Sequence, residues 1–471
     1  MIYSRYLLLA IPFLLVLLTG LTHGFLPPDN INYLTMADTQ FGQICHVGGQ
    51  PFGLFPCAYP LAINAVHWLT GLDLFYASKI LNLALLVATF YCFHQVVRSV
   101  NLALVLAFNP FTIQSAIESG AEIGFLFAFA LYCLMVHLIK EKDEVKVQYF
   151  LGVLIAIVIG CFSRYMFAPF SVLLFLCSFL LLKQKNWKLL PAFVLAAALF
   201  VLYRYYLRDF DMERIPAPES QLLIFFQFIK SSIKAVAFML PPVLIGLWCW
   251  KKSGYKLDYQ QRWSWFFGAV GLAYLVMILT LRSMFQFDFF GIRFVGLGYG
   301  LILAAVLLML QKEVNKVRLP LVIVGIVLMY LAVTEASVFR HPMVTAEVKQ
   351  ALNNTIRLKK QDNKPKDYAL VVTDRQWIHP EVAVKGVFDT WRDGHVVFLP
   401  DLPYQRRYEM DVVQQRLSDK PCKIYFDLQQ DINTYINQKY RTGLSEYQLQ
   451  FSATARDYLV RKYTDNDNNC F

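Results

Sequence analysis

About a dozen long apolar runs separated by short polar connectors constrain this chain of 471 residues more than any other feature. A membrane-crossing helix needs about 20 mostly apolar residues. Runs of that kind fall near 6–26, 74–96, 100–117, 121–139, 148–163, 166–182, 189–206, 234–250, 263–281, 294–310 and 319–336. That makes 11 expected spans. Two further stretches, 59–70 and 221–233, are amphipathic and suit an interfacial or re-entrant position. Segment 6–26 has no small-x-small cleavage site after it and is read as a retained anchor, not a signal peptide.

Charge is distributed unevenly. Residues 1–336 carry 16 acidic and 24 basic side chains; the 135 residues after them carry 17 and 20. The second density is that of a soluble domain, roughly 25% charged. The expected domains are therefore a membrane body, 1–336, and a soluble domain, 337–471. Within the latter, 369–374, 395–400, 423–428 and 456–463 look like strands and 409–419 like a helix, which suggests a small α/β fold. The net charge of +11 sits largely in short loops between apolar runs, so the positive-inside effect explains it and nucleic acid is not an expected partner.

Lys and Arg cluster in alternate loops at Arg98, Lys140–Lys146, Lys183–Lys188, Lys251–Arg262 and Lys312–Arg318, whereas loop 27–60 contains none. The N-terminus is then cytoplasmic, and loop 27–60 and the C-terminal domain are extracytoplasmic. The expected location is the plasma (inner) membrane of a bacterium. Cys45 and Cys57 share the outer loop and Cys422 and Cys470 the tail, so a disulfide is open to each pair; spacing alone does not supply the geometry.

No GxxxxGK[ST], HExxH or CxxC motif is present, which sets aside ATP-driven transport by this chain alone and the commoner metal chemistries. Cys45, His46 and Cys57 lack structural-zinc spacing. The informative segment is the outer loop. Asp29 follows the first span directly, where a carboxylate can act as general base toward a substrate carried on a lipid, and Asp38 lies nine residues on. Following Pro27-Pro28, Asp29 equally suits a helix cap. Lys79 lies one turn into an apolar span, where an ionisable group is a functional candidate or a snorkelling lysine. Arg164 and Arg293 sit at outer span ends against the positive-inside trend. Glu122 begins a span, and Asp288 lies among aromatics near Arg293.

These residues fall into a pattern. Asp29-x-x-x-Tyr33-x-x-x-Ala37 resembles the D-x-x-x-Y-x-x-x-A stretch of the first outer loop in GT-C glycosyltransferases. These are the polyprenyl-phosphate-sugar-dependent membrane enzymes related to protein mannosyltransferases and lipid A aminoarabinose transferases. Tyr59-Pro60-Leu61, then Lys79-x-x-Asn82, Asn109-Pro110 with Gly120-Ala121-Glu122, Ser163-Arg164-Tyr165 and Gly291-Ile292-Arg293-Phe294 are similar, in order, to further stretches of that family. Asn30 stands where the family usually has a second carboxylate.

The resemblance implies a GT-C-like polytopic α-helical body with an extracytoplasmic C-terminal domain. It implies an inverting transfer of sugar from a polyprenyl-phosphate carrier to a lipid, glycan or protein acceptor. Asp29, Glu122 and Asp38 would be catalytic, Lys79, Arg164 and Arg293 would bind the donor phosphate, and Tyr33, Tyr59 and Asp288 would bind substrate. No cofactor is assigned, and a divalent metal ion shared by Glu122 and Asp29 stays open. The competing readings are a flippase or transporter of lipid-linked sugars and a non-catalytic membrane assembly protein. A transporter would be expected to show paired halves with broken helices and midplane charges, and no such internal symmetry is visible.

Overall fold

The structure is a computed structural model of the chain. It describes residues 2–23, 29–40, 42–47, 50–53, 55–207, 220–259, 261–285 and 291–317, residues 349, 353 and 356, and the segments 369–373, 395–398 and 423–427. The chain divides into two compact units: Met1–Phe25 with Pro51–Arg340, and Leu26–Gln50 with His341–Phe471.

The first unit is helical. It begins with α1 (Ile2–His23); α2 (Asp29–Ala37), which follows in the chain, belongs to the second unit. Next come α3 (Ala58–Thr70), α4 (Leu74–Val97), α5 (Val100–Ala107), α6 (Pro110–Ile117) and α7 (Glu122–Lys142). Then follow α8 (Val147–Ser163), α9 (Phe167–Leu182), a 3-10 turn (Lys183–Leu189) and α10 (Leu190–Leu207). The last are α11 (Gln221–Phe238), α12 (Leu240–Lys252), α13 (Arg262–Phe285), α14 (Ile292–Met309) and the short α15 (Gln311–Val314). By length and composition five helical stretches among the described residues can cross a membrane, six if α5 and α6 count as one broken span; Leu9–Thr22, Val147–Ser163 and Phe294–Met309 are shorter apolar helices. Segment 319–336 lies outside the described residues.

Two expected spans are drawn differently by the structure. Residues 100–117 do not form one helix: α5 and α6 meet at a 69° bend. Pro110 starts α6, the Asn109 side chain accepts from Thr112 N (3.2 Å), and Asn109 Nδ2 donates to Leu106 O (3.0 Å). An N-cap and a proline inside an apolar run end one helix and begin another. Nor is 234–250 continuous. The longer helix is α11, reaching back through 221–233, and α12 starts afresh at Leu240 with Pro241-Pro242 in its first turn. The polar residues of 221–233 made that stretch look interfacial, but its apolar positions still suffice for a membrane-compatible helix.

Stretch 59–70 is the amphipathic α3, with Tyr59, Pro60 and Ile63 buried and Trp68 and Leu69 exposed. Gly71, left-handed at φ 67°, closes it, and Asp73 caps α4 by accepting from Tyr76 N (2.9 Å).

Large apolar side chains lie on the outside at helical spacing, as at Val172, Leu176 and Leu180, the pattern of a body solvated by lipid. The interior is aromatic: Phe125 packs on Phe167 (4.8 Å between centroids) and Phe170 (5.1 Å), and Phe170 meets Tyr274 edge-on (5.6 Å). Helices α13 and α14 cross where Gly271 faces Gly298. A Cβ on Gly271 would lie 2.7 Å from Gly298 O, so only glycine permits this approach.

The second unit contains α2, the short strand β1 (His46–Val47) and a three-stranded sheet; β2 (Gln50–Pro51) lies at its sequence edge. Strands β3 (Ala369–Thr373), β4 (His395–Phe398) and β5 (Lys423–Asp427) pair in parallel in the order β4-β3-β5, with Val371 opposite Val396 and Tyr425. They form where alternation in the sequence expects them. The expected strand 456–463 and helix 409–419 lie outside the described residues.

Candidate active site

Helix α6 ends at Ile117, and its last carbonyls have no intrahelical partner. They point at the polar face of α4. Asn82 Nδ2 donates to Ser115 O (3.1 Å), Ala116 O (3.2 Å) and Glu118 O (2.6 Å). Lys79 Nζ, one turn earlier, donates to Ile117 O (2.8 Å) and Ser119 Oγ (3.1 Å). Ser78 Oγ reaches Ser119 Oγ at 2.7 Å. Tyr59 of α3 donates its hydroxyl to Asn82 Oδ1 (2.6 Å), which holds the amide in this orientation. Lys79 and Asn82 are three apart, hence on one face of the helix.

Lys79 is 1% exposed. A buried ammonium needs compensation. Two oxygen acceptors supply it, with the Phe75 ring (4.8 Å), the nearby Glu118 charge and the negative end of the α6 dipole. The structure thus places Lys79 as a cap of α6.

The connecting turn, 118–121, is tight. Ser115 Oγ donates to Gly120 O (2.7 Å) and accepts from Ile123 N (3.0 Å). Gly120 leaves no room for a Cβ, which would lie 2.8 Å from both Glu122 Oε2 and Ser115 Oγ. Glu122, at the N-terminus of α7 where a carboxylate is favoured, is ion-paired with Arg164 at the end of α8. The two side chains are 6% and 16% exposed. Tyr274 of α13 is fully buried within electrostatic range of both ions, and its hydroxyl has no hydrogen-bond partner among the described residues.

Next to Arg164, Tyr165 donates to Gly53 O (2.8 Å), and Arg204 donates to the same oxygen (3.2 Å) while lying over the Tyr165 ring (4.4 Å). These two residues fix the segment around Gly53.

Four sequence candidates, Tyr59, Lys79, Glu122 and Arg164, are therefore gathered around one turn. In the second unit, Tyr33 (1% exposed) and Asp38 (6% exposed) are buried. Asp38 accepts from Gln40 N (3.2 Å) through Oδ1 while its own N–H donates to Leu34 O (3.1 Å), closing the end of α2. Asp29 is the first residue of α2 and Arg293 the second of α14, but their side chains lie outside the described residues, as does the whole of Asp288. Cys45 and Cys57 are both disulfide-bonded. The sequence reading passed over Ser115, Ser119 and Tyr274. A serine or tyrosine in an apolar run carries no signal until its neighbours are known.

No three His, Cys, Asp or Glu side chains converge among the described residues, and the charge of Glu122 is already matched by Arg164.

No protein-family model and no curated protein matches the chain. Among solved structures it is similar to the crystal structure of ArnT from Cupriavidus metallidurans bound to undecaprenyl phosphate, with 12% identity and a TM-score of 0.47 over 83% of this chain and 77% of that one. It is also similar to ArnT from the same organism in the apo state, with 12% identity and a TM-score of 0.45 over 96% and 95%.

Proposed function

We propose that the chain is a multi-pass membrane glycosyltransferase that takes its sugar from a polyprenyl-phosphate carrier on the extracytoplasmic face. The reading is supported above all by convergence. Tyr59, Lys79 with Asn82, Glu122 and Arg164 come from four separate stretches that resemble the GT-C pattern, and all four meet at the α6–α7 turn. A set of unrelated interfacial anchors would have no reason to share one turn.

The chemistry follows from the donor. Its polyprenyl tail stays in the bilayer, and its leaving group is a phosphate that needs cationic stabilisation rather than a strong acid. Arg164 offers a planar fork held in place by Glu122, and Lys79 adds positive charge behind the turn. Arg293 completes the phosphate set in this reading. The acceptor hydroxyl attacks the anomeric carbon as the bond to the phosphate oxygen breaks, giving inversion. The hydroxyl proton passes to Asp29, assigned as base from the sequence pattern, with Asp38 as the second carboxylate. Tyr33, Tyr59 and Asp288 are assigned to substrate binding from the sequence pattern alone. The body is 1–336 with eleven spans, the N-terminus is cytoplasmic, and 337–471 forms an extracytoplasmic α/β domain. The acceptor is a lipid, glycan or protein of the cell envelope.

The test uses full-length protein in nanodiscs with a panel of polyprenyl-phosphate sugars. Wild type is expected to release polyprenyl phosphate and form an inverted glycoside. Asp29→Asn is expected to lose on the order of 100-fold in turnover, the usual scale for a general base, while still binding donor. Movement of intact lipid-linked sugar across the bilayer without cleavage, or undiminished turnover in D29N, overturns the assignment.

A further inference from the structure

An apolar cavity of about 430 Å³ lies far along the chain from the α6–α7 turn, bounded by α11, α12 and α14. Its walls include Val243, Gly246 and Ile302, and one end is formed by Trp250, Leu257 and Leu310. The size is that of an ordinary small-molecule pocket, roughly 300–1,000 Å³. The chain is tied across that end. Asp258 N donates to Met309 O (3.0 Å), Gln261 Nε2 to Gln311 Oε1 (3.2 Å), and Tyr255 N to Trp250 O (2.9 Å).

The end is also basic. Lys251 follows Trp250, Lys256 precedes Leu257, and Lys312 lies two residues past Leu310; all three are exposed, as is Lys252. Lys252 lies over the Trp248 ring (4.2 Å), and Trp250 meets Tyr255 edge-on (5.0 Å), an aromatic and lysine combination typical of a membrane–water boundary. Among the described residues these four lysines form no ion pair, whereas Glu313 is taken by Lys316 (2.6 Å). An apolar slot that ends at a boundary of exposed ammonium groups, unpaired among the described residues, is complementary to one kind of molecule, with an apolar chain and an anionic head.

We propose that this cavity is a binding site for one acyl chain of an anionic phospholipid of the surrounding bilayer, whose phosphate is met by Lys251, Lys252 and Lys256. The site is separate from the sugar-transfer residues and does not depend on that reading.

The test compares phosphatidylglycerol with phosphatidylcholine of the same acyl chains. Full-length protein is taken from mixed bicelles, delipidated and examined by native mass spectrometry. Wild type is expected to keep one phosphatidylglycerol with at least a tenfold preference over phosphatidylcholine. The K251Q/K252Q/K256Q variant is expected to lose the preference, and V243F/I302F, which fills the slot, to lose the retained lipid. If the phenylalanine pair fails to fold, the glutamine variant decides alone. Three results overturn the proposal: equal retention of both headgroups by wild type, displacement of phosphatidylglycerol by an equimolar polyprenyl phosphate, or quantitative cross-linking of a cysteine at Leu303 to cysteines placed in 319–336. The last would show that the chain's own segment fills the slot.

Discussion

Glu122 and Arg164, 42 residues apart, form an ion pair that is almost wholly enclosed by protein. Their elements, α7 and α8, form a helical hairpin, and the pair closes its open end. Removing one partner of such a pair leaves an uncompensated buried charge and costs about 3–5 kcal/mol, whereas removing both together costs much less. Glu122→Gln and Arg164→Met are each expected to lower the detergent melting temperature markedly, and E122Q/R164M to regain most of the loss. Turnover is not expected to return in the double variant. A double variant that melts like wild type and remains fully active makes the pair purely structural.

The cap on α6 gives a graded series. Asn82→Ala leaves the carbonyls of Ser115, Ala116 and Glu118 without this donor and the Tyr59 hydroxyl without its acceptor. Each buried group left unsatisfied costs about 1–3 kcal/mol, partly recoverable by relaxation. N82A is therefore expected to destabilise by about 3 kcal/mol, and Tyr59→Phe, which removes the bond to Asn82 Oδ1, by about 1 kcal/mol. Unfolding in mixed micelles measures both. Equal losses would show that the amide does not act as a multiple donor.

How far the sequence led is visible in these same residues. The apolar runs foretold most helices to within a few residues, because lipid-facing and core-facing positions are both apolar and the run ends where solvent begins. They failed at 100–117, where Asn109-Pro110 turns the chain within the apolar stretch, and at 221–250, where the polar residues of 221–233 made the first part of a continuous α11 look interfacial. The α4 motif was legible as Lys79-x-x-Asn82. Its partner was not: that the pair caps α6 depends on where a bent helix ends, which no local pattern encodes. Ser119 and Tyr274 became visible only through their neighbours.

Gly120 makes the turn intolerant of any side chain. A methyl there would meet Glu122 Oε2 and Ser115 Oγ, both at 2.8 Å, and Ser115 Cα at 3.3 Å. The two oxygens belong to the same hydrogen-bonded turn and cannot both yield without releasing Gly120 O or Ile123 N. Gly120→Ala is expected to cost about 1–3 kcal/mol, the usual range for overpacking, and to displace the Glu122 carboxylate. Turnover is expected to fall further than stability alone explains, with the loss in kcat rather than in KM. A variant with normal kcat and lowered melting temperature would separate Glu122 from the chemistry.

Orientation can be tested through cysteine chemistry. Cys45 and Cys57 are disulfide-bonded, so they do not compete for a thiol reagent. Among the described residues the free cysteines Cys92, Cys133, Cys161 and Cys249 are buried and Cys177 is partly so, and with Cys422 and Cys470 changed to Ser the labelling background is quiet. A membrane-impermeant maleimide is expected to modify Lys256→Cys only after the membrane is opened. It is expected to modify Thr39→Cys, at the exposed end of α2, in intact cells or spheroplasts. Gly71→Cys, in the turn between α3 and α4, should behave like Thr39→Cys if one outer face holds that turn as well. Labelling of Lys256→Cys from outside would invert the whole assignment and place the α6–α7 turn in the cytoplasm, where nucleotide sugars rather than lipid-linked ones are the available donors.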